Sequence, residues 1–227
     1  MTNYSTTCIP YGDQALLIQI RSDNLQEATH LVVAIMQRLE QKAFVLTEEI
    51  VPAFDSVMLR YDPAQITYDD LQQEIATLLV NLRPLEAAGN LYELPICYSA
   101  DYGPDLKIVA QQTGLSVSQV IEQHLQTTFT VMMTGFMPGF AYLGELPEQM
   151  TVARKTTPRL RVPEGSVGLA GRLTGIYSTE SPGGWQIIGK SINLLQFQLD
   201  ADIRIVSGDR IKFYEVSVHE LQKLRQS

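Results

Sequence analysis

The 227-residue sequence predicts an α+β protein built in two parts, and three features of the chain point that way. In the opening third, apolar residues switch between the two-residue period of a strand and the longer period of an amphipathic helix. From about Thr128 onward, short β-rich runs are punctuated by glycine and proline. Between them, Arg83 to Asn90 (RPLEAAGN) has a proline, a glycine and no periodicity, which marks a linker and divides the chain into residues 1–86 and 87–227.

In order along the chain, QALLIQI (Gln14 to Ile20) reads as a strand, and Leu25 to Gln41 places Leu31, Ile35 and Leu39 on one helical face. VLTEEIVPAF and SVMLRYD, within Val45 to Asp62, read as two neighbouring strands that turn near Asp55. Asp69 to Leu82 returns to helix, with Leu71, Ile75, Leu78 and Leu82 in register. A strand, helix, strand, strand, helix order suits a small open sheet with helices on one face. Beyond the linker, ELPICY is extended, and Asp105 to Gly114 and Ser116 to Gln126 form two short helices, the second capped by Ser116. FTVMM, GSVGLAG, WQIIG, INLLQFQL and RIKFYEV then follow the pattern of a closed or nearly closed antiparallel barrel, and the last ten residues form a short helix.

A chain of this length buries a core without covalent staples. Cys8 and Cys97 are far apart, lie in strand-like surroundings and have no close Cys or His spacing, so they read as buried thiols and not as a disulfide or a metal site. With 17 Lys and Arg against 25 Asp and Glu, the net charge of −8 disfavours a nucleic-acid partner. The first residues carry no basic start with an apolar run, and no stretch reaches membrane-spanning length, so a cytoplasmic protein with no membrane partner is expected.

Four segments are candidates for chemistry. GFMPGFAYL (Gly135 to Leu143) joins glycines and a proline to three aromatics, either as a packed barrel corner or as a pocket wall. In PRLRVPEGSVGLAG, Arg159 and Arg161 stand two apart, so on a strand they share a face; they form either a carboxylate or phosphate clamp, with Arg159 favoured because Pro158 precedes it, or a solvated strand edge. His124, near a helix end, is either a general base or a capping and packing residue. GWQIIGKS (Gly184 to Ser191) matches the phosphate-loop spacing, but bulky Trp185, Ile187 and Ile188 fill the loop and SINLLQFQL after it reads as strand, so the match is a coincidence. No Gly-x-Ser-x-Gly elbow is present.

The runs GFMPGFAYLGELP, TPRLRVPEGSVGLAGRLTGIY and SPGGWQIIGK closely resemble the family that contains the B-type subunit of 5-oxoprolinase, the first subunit of allophanate-hydrolase-type proteins and the sporulation kinase inhibitor of bacilli. YGDQALLIQI, DLKIVAQQTGLSVSQVIEQH and VSGDRIKF fit the same family more loosely. The resemblance implies a ferredoxin-like N-terminal domain and a cyclophilin-like barrel. The family pattern falls on His124, Arg159, Phe136, Pro138, Gly139, Phe140, Tyr142, Ser166, Gly168, Gly171, Thr174, Tyr177, Ser181, Gly183, Gly184 and Trp185, which the resemblance implies line the barrel's mouth and its contact with a partner; we take His124 and Arg159 as the catalytic candidates and add Arg161, from its spacing, to the binding residues. The chain departs from the family pattern at Ala153, Glu164, Ser178 and Lys190, where relatives usually have proline, alanine, proline and arginine. Glu164 adds negative charge beside the arginines, which argues against a simple carboxylate clamp.

The activity implied is that of the B-type subunit of an ATP-dependent 5-oxoprolinase, which opens 5-oxoproline to L-glutamate only in complex with a homologous barrel protein, the C-type subunit, and with the A-type subunit. ATP with Mg2+ is used by the assembled complex, and no bound cofactor or metal is expected in this chain. The runner-up is an inhibitor that docks an exposed aromatic groove of Phe136, Phe140, Tyr142 and Trp185 on a sensor histidine kinase. Membership of an allophanate- or urea-processing enzyme ranks last, because the chain holds no biotin carrier.

Overall fold

A computed structural model describes residues 4–42, 47–85, 89–200 and 203–225, so the expected start of a strand at Val45 and part of the expected linker lie outside the described residues. The chain divides into two compact units, Met1–Ala88 and Gly89–Ser227.

The first unit contains β1 (Tyr4–Pro10), β2 (Ala15–Ser22), α1 (Leu25–Gln41), β3 (Thr47–Pro52), β4 (Ser56–Tyr61) and α2 (Tyr68–Leu79). Its four strands form an antiparallel sheet in the order β1-β2-β4-β3. Both helices start at side-chain caps: Glu27 N–H donates to the Asn24 side chain and Asp70 N–H to the Thr67 hydroxyl. Leu31, Val32, Ile35 and Leu39 of α1 and Leu71 and Ile75 of α2 are buried with Leu16, Ile18, Val57 and Leu59 of the sheet. The sequence pattern lacks β1, because YSTTCIP is a polar edge strand with no clear alternation, and it is held by its pairing from Tyr4↔Ser22 to Pro10↔Leu16. Cys8 in this strand is half-buried, whereas Cys97 is buried; both are free thiols.

The second unit runs β5 (Leu91–Cys97), α3 (Leu106–Thr113), α4 (Val117–Gln126), β6 (Thr128–Thr134), β7 (Ala141–Gly144), a short 3-10 turn (Glu148–Met150), β8 (Arg159–Val162), β9 (Ser166–Ala170), β10 (Leu173–Ile176), β11 (Ser181–Gly183), β12 (Gln186–Ser191), α5 (Leu194–Asp200), β13 (Arg210–Glu215) and α6 (Val218–Leu224). Seven strands close a barrel in the order β10-β7-β6-β13-β5-β12-β9, with β9 pairing back to β10. The expectation of a wholly antiparallel barrel is corrected at one seam: β5 and β13 are parallel, from Leu91↔Arg210 to Ile96↔Glu215. Parallel neighbours need a long crossover, and here almost the whole unit serves as that connection, which no local pattern announces. A second correction concerns INLLQFQL, expected as strand. Leu194–Asp200 is helical because Asn193 caps it, accepting Leu195 N–H on Oδ1 at 3.0 Å and Phe197 N–H on its carbonyl at 2.9 Å.

The barrel interior is filled by Leu94, Ile96, Phe129, Val131, Leu143, Val167, Leu169, Ile188, Ile211 and Phe213, with Val109 of α3 and Val120 of α4 packed into the same core. β8 and β11 pair as a separate two-stranded sheet. Among the described residues no helix is long and apolar enough to cross a membrane.

The entry to α3 crosses β12 at close range. Gly103 N–H donates to Ser99 O at 2.8 Å, and a Cβ added at Gly103 would stand 2.2 Å from Ile188 O. Gly103→Ala is therefore expected to cost about 1–3 kcal/mol by overpacking, read as a lower urea midpoint with an unchanged m-value. A midpoint equal to the parent's would show that the loop moves freely off the strand.

Candidate functional site

Just before α3, Asp105 makes its backbone and side chain into one junction. Its N–H donates to Ile187 O at 2.9 Å, and its carboxylate accepts Ile187 N–H at 2.7 Å. Arg159 on β8 grips the same carboxylate with both guanidinium arms, Nη1 to Oδ2 at 2.7 Å and Nη2 to Oδ1 at 2.8 Å, and Lys155 Nζ reaches Oδ1 at 3.2 Å. The Asp105 side chain is 2% exposed. Burial by itself would raise its pKa, but the hydrogen bonds from Arg159, the Ile187 N–H and Lys155 prevail and hold the carboxyl below its ordinary value.

This junction answers the arginine question raised by the sequence. The Arg159 fork engages a carboxylate of its own chain, and Arg161 is exposed and pairs with Glu180, Nε to Oε1 at 2.9 Å. Glu164 bonds Arg225, and it accepts the Asn193 amide at 3.0 Å. Asp105 and Lys155 escaped the sequence reading because their partners are distant in the chain.

The Gly135 to Leu143 segment is corner and wall at once. Phe140 is buried at the centre of an aromatic cluster, edge-on to Phe136, Tyr142, Tyr177 and Trp185 at centroid distances of 5.6, 4.8, 5.4 and 5.7 Å. Gly139, at φ +76°, lets the turn lie on α5, where a Cβ would meet Leu195 Cβ at 2.6 Å. Pro138 O accepts the Ser178 hydroxyl at 2.5 Å. The expected exposed groove of four aromatics is corrected: Phe140 and Trp185 are buried, Tyr142 is half-buried, and Phe136, at φ +71°, is 64% exposed. Side-chain packing closes the groove because Val162, Ala170 and Ile187 complete a core beneath the rings.

Around this cluster, Gly183 gives room for the Tyr177 hydroxyl, which a Cβ would meet at 2.4 Å; the backbone N–H of Trp185 donates to that hydroxyl. Ser181 pairs β11 to β8, Gly171 turns β9 into β10 at φ +59°, and Ser166 is a buried strand residue whose carbonyl accepts Tyr177 N–H at 2.9 Å. A Cβ on Gly168 would touch Trp185 Cβ at 3.0 Å. A further residue, absent from the sequence-based candidates, is Arg154. It is exposed, it lies against Gly184, and its charge opposes the burial that raises the Tyr142 and Tyr177 pKa values.

His124 lies inside the barrel core, fully buried, stacked on Phe213 with centroids 5.0 Å apart. Thr174 Oγ1 donates its single proton to Gly168 O at 3.2 Å, so it accepts from His124 Nε2–H at 3.1 Å. That leaves Nδ1 as acceptor for the Tyr98 O–H at 2.7 Å. Burial pushes the His124 pKa down to about 3 and the Tyr98 pKa well up, so both hold this neutral arrangement at physiological pH. His124 thus sits as a satisfied polar residue within the core, with both ring nitrogens engaged.

Gly184 to Ser191 forms no phosphate cradle. Most of the segment is β12 itself, paired to β9 and β5, and Lys190 Nζ lies 5.3 Å over the Tyr102 ring. The disqualifying feature is this strand, since helix α5 does follow the segment. Among the described residues, no three His, Cys, Asp or Glu side chains converge as metal ligands.

The chain belongs to the family described as carboxyltransferase domain, subdomain C and D, which it matches over residues 6–203. It is 33% identical over 219 residues to the 5-oxoprolinase B subunit of Bacillus subtilis (strain 168), covering 91% of each chain. It is 34% identical over 208 residues to the 5-oxoprolinase B subunit of Escherichia coli O157:H7, covering 91% of this chain and 94% of the relative. Among solved structures, TTHA0988 superposes with a TM-score of 0.71 at 29% identity over 96% of this chain, which spans only 40% of that longer chain. The resemblance read from the sequence runs is thus met by relatives matched along most of the chain.

Two pH windows follow. The unfolded chain protonates His124 below its ordinary value of 6.5, whereas the fold keeps it neutral down to about 3, so stability falls as pH drops across that interval. Asp105, with its folded pKa depressed, contributes stability above the ordinary value of 3.8 and loses it as pH falls through the folded pKa. Asp105→Asn is expected to lower stability at neutral pH by about 2–3 kcal/mol, reduced from the full cost of breaking a buried pair because Arg159 and Lys155 are partly solvated, and to flatten the acid limb below 3.8. His124→Gln is expected to flatten only the interval from 6.5 to about 3, read from urea midpoints against pH. Unchanged profiles would remove these assignments.

Proposed function

We propose that this chain is the B-type subunit of an ATP-dependent 5-oxoprolinase, which opens 5-oxoproline to L-glutamate in the cytoplasm only when assembled with a homologous barrel protein, the C-type subunit, and with the A-type subunit. The observation that carries this is the 33% identity over 91% of both chains to a protein of that name. We take the first unit to be ferredoxin-like and the barrel to be cyclophilin-like.

A lactam carbonyl is a poor electrophile, and ATP, with Mg2+, supplies its activation by converting the carbonyl oxygen into a leaving group. The phosphate-loop spacing in this chain lies on a barrel strand, so we assign ATP binding to another member of the assembly. This chain's contribution is to hold the cyclic amide. At the aromatic corner the half-buried Tyr142 presents part of its ring, backed by the buried Tyr177 and Trp185, and the turns at Gly139 and Gly183 to Gly184 bring backbone close to them. Arg159 and His124 act as positioning residues: Arg159 holds Asp105, and with it β8 against β12, while His124 holds Thr174 of β10. Phe136, Pro138 and Arg161, which are exposed, belong to the contact with the rest of the assembly.

A second reading, an inhibitor that binds a sensor histidine kinase, draws on two exposed apolar side chains, Phe136 and Leu160, the latter 87% exposed. Glutamate release from 5-oxoproline with ATP decides between them. This chain, its partner subunits and the full mixture are assayed separately, and glutamate is expected only in the full mixture. An inactive mixture whose subunits assemble would overturn the oxoprolinase reading, and binding to a kinase dimerisation domain would then be measured.

A further inference from the structure

We infer that Arg154 is the carboxylate-binding residue of this protein, gripping the free carboxylate of a small cyclic amide whose ring lies against Tyr142; this deepens the oxoprolinase reading and rests on it.

Four arginines of the barrel unit already have carboxylate partners: Arg159 with Asp105, Arg161 with Glu180, Arg172 with Glu145 and Arg225 with Glu164. Arg154 has no carboxylate partner among the described residues, yet its backbone is held on both sides. Lys155 N–H donates to Gly184 O at 2.7 Å, and the Gln186 side-chain amide donates to Ala153 O at 3.1 Å. Gln186 is itself 3% exposed, so the peptide flanking Arg154 is anchored to a buried strand. The guanidinium lies along Gly184, its Nε and Nη2 3.6 and 3.7 Å from where a Cβ would stand. It is also near enough to the Tyr142 and Tyr177 phenols to act on their ionisation. Tyr142 stands 5.8 Å from Trp185, so a cation, two phenols and an indole meet at one corner.

The charge balance selects the ligand. Lys155 and Arg159 both bond Asp105, a single carboxylate, so the segment that carries Arg154 is cationic in a chain whose net charge is −8. An exposed guanidinium on an anchored backbone presents a fork suited to a planar carboxylate, and the adjoining half-buried Tyr142 ring suits a flat five-membered lactam. 5-Oxoproline carries both groups; 2-pyrrolidone is the same lactam without the carboxylate.

The test uses both the assembly and the chain. In the full mixture, Arg154→Gln is expected to raise the KM for 5-oxoproline by about 10- to 100-fold with kcat changed far less, and Arg154→Lys to recover part of that loss. Lys107→Gln, an exposed helix position, controls for loss of one positive charge. In the chain alone, Trp185 is the single tryptophan, so its fluorescence reports this corner. 5-Oxoproline is expected to give a saturable change that 2-pyrrolidone gives only at far higher concentration and that Arg154→Gln abolishes, with its thermal midpoint unchanged. Inorganic phosphate displacing 5-oxoproline equally well would overturn the carboxylate assignment. Glutamate formation with an unchanged KM in Arg154→Gln would overturn the role of Arg154 and leave the oxoprolinase reading standing. Arg154-dependent binding of 5-oxoproline without glutamate formation in the mixture would do the reverse. No Arg154-dependent difference in either measurement would overturn the inference.

Discussion

A buried carboxylate, Asp105, is the constraint on which the geometry of this barrel's working end depends. Its two oxygens receive four donors from two separate stretches: the Arg159 fork and the Lys155 ammonium from one, and the Ile187 N–H from the other. An ion this deeply buried is costly unless its lone pairs are satisfied, and here the donors are charged or come from rigid backbone, so the arrangement is locked once formed. The junction sets the entry to α3 against β12 and β8 against both. It also places the turn carrying Arg154 beside Gly184.

Next to that charged junction lies an apolar one. The edge-on rings around Phe140 pack against Val162, Ala170 and Ile187, and Ile187 also supplies the backbone N–H that Asp105 accepts. One residue of β12 therefore links the aromatic corner to the ionic junction. On the interior side of the barrel, Tyr98, His124, Thr174 and Gly168 form a neutral chain of hydrogen bonds among phenylalanines. The two networks illustrate opposite ways of burying polarity: many donors around a retained charge, and proton sharing with no charge at all.

Much of the architecture was legible in local sequence. α1 occupies Leu25–Gln41 as its periodicity predicts, α4 starts at Ser116 with a complete capping box, and most of the short β-rich runs lie on barrel strands. The Gly-x4-Gly-Lys-Ser spacing was rightly set aside, although the structural cause is that most of the segment is a strand in a barrel sheet. β1 escaped notice because an edge strand needs no apolar alternation, and α5 because seven residues are too few for a helical period to declare itself.

What the sequence by itself determined is the set of local states: where helices start, where glycine must turn the chain, and which side chains are apolar enough to form two cores. It also carried the family likeness, since the runs around Phe140, Ser166 and Trp185 are contiguous. Only the tertiary structure decided the parallel closure of β5 on β13, the partner of Arg159, the burial of His124 and the company of Arg154. Asp105 meets Arg159 across 54 positions and Ile187 across 82, and no periodicity or capping rule reaches that far. Those contacts exist because closing the barrel brings the strands together, so a charge's partner is decided by closure and not by its neighbours in the chain.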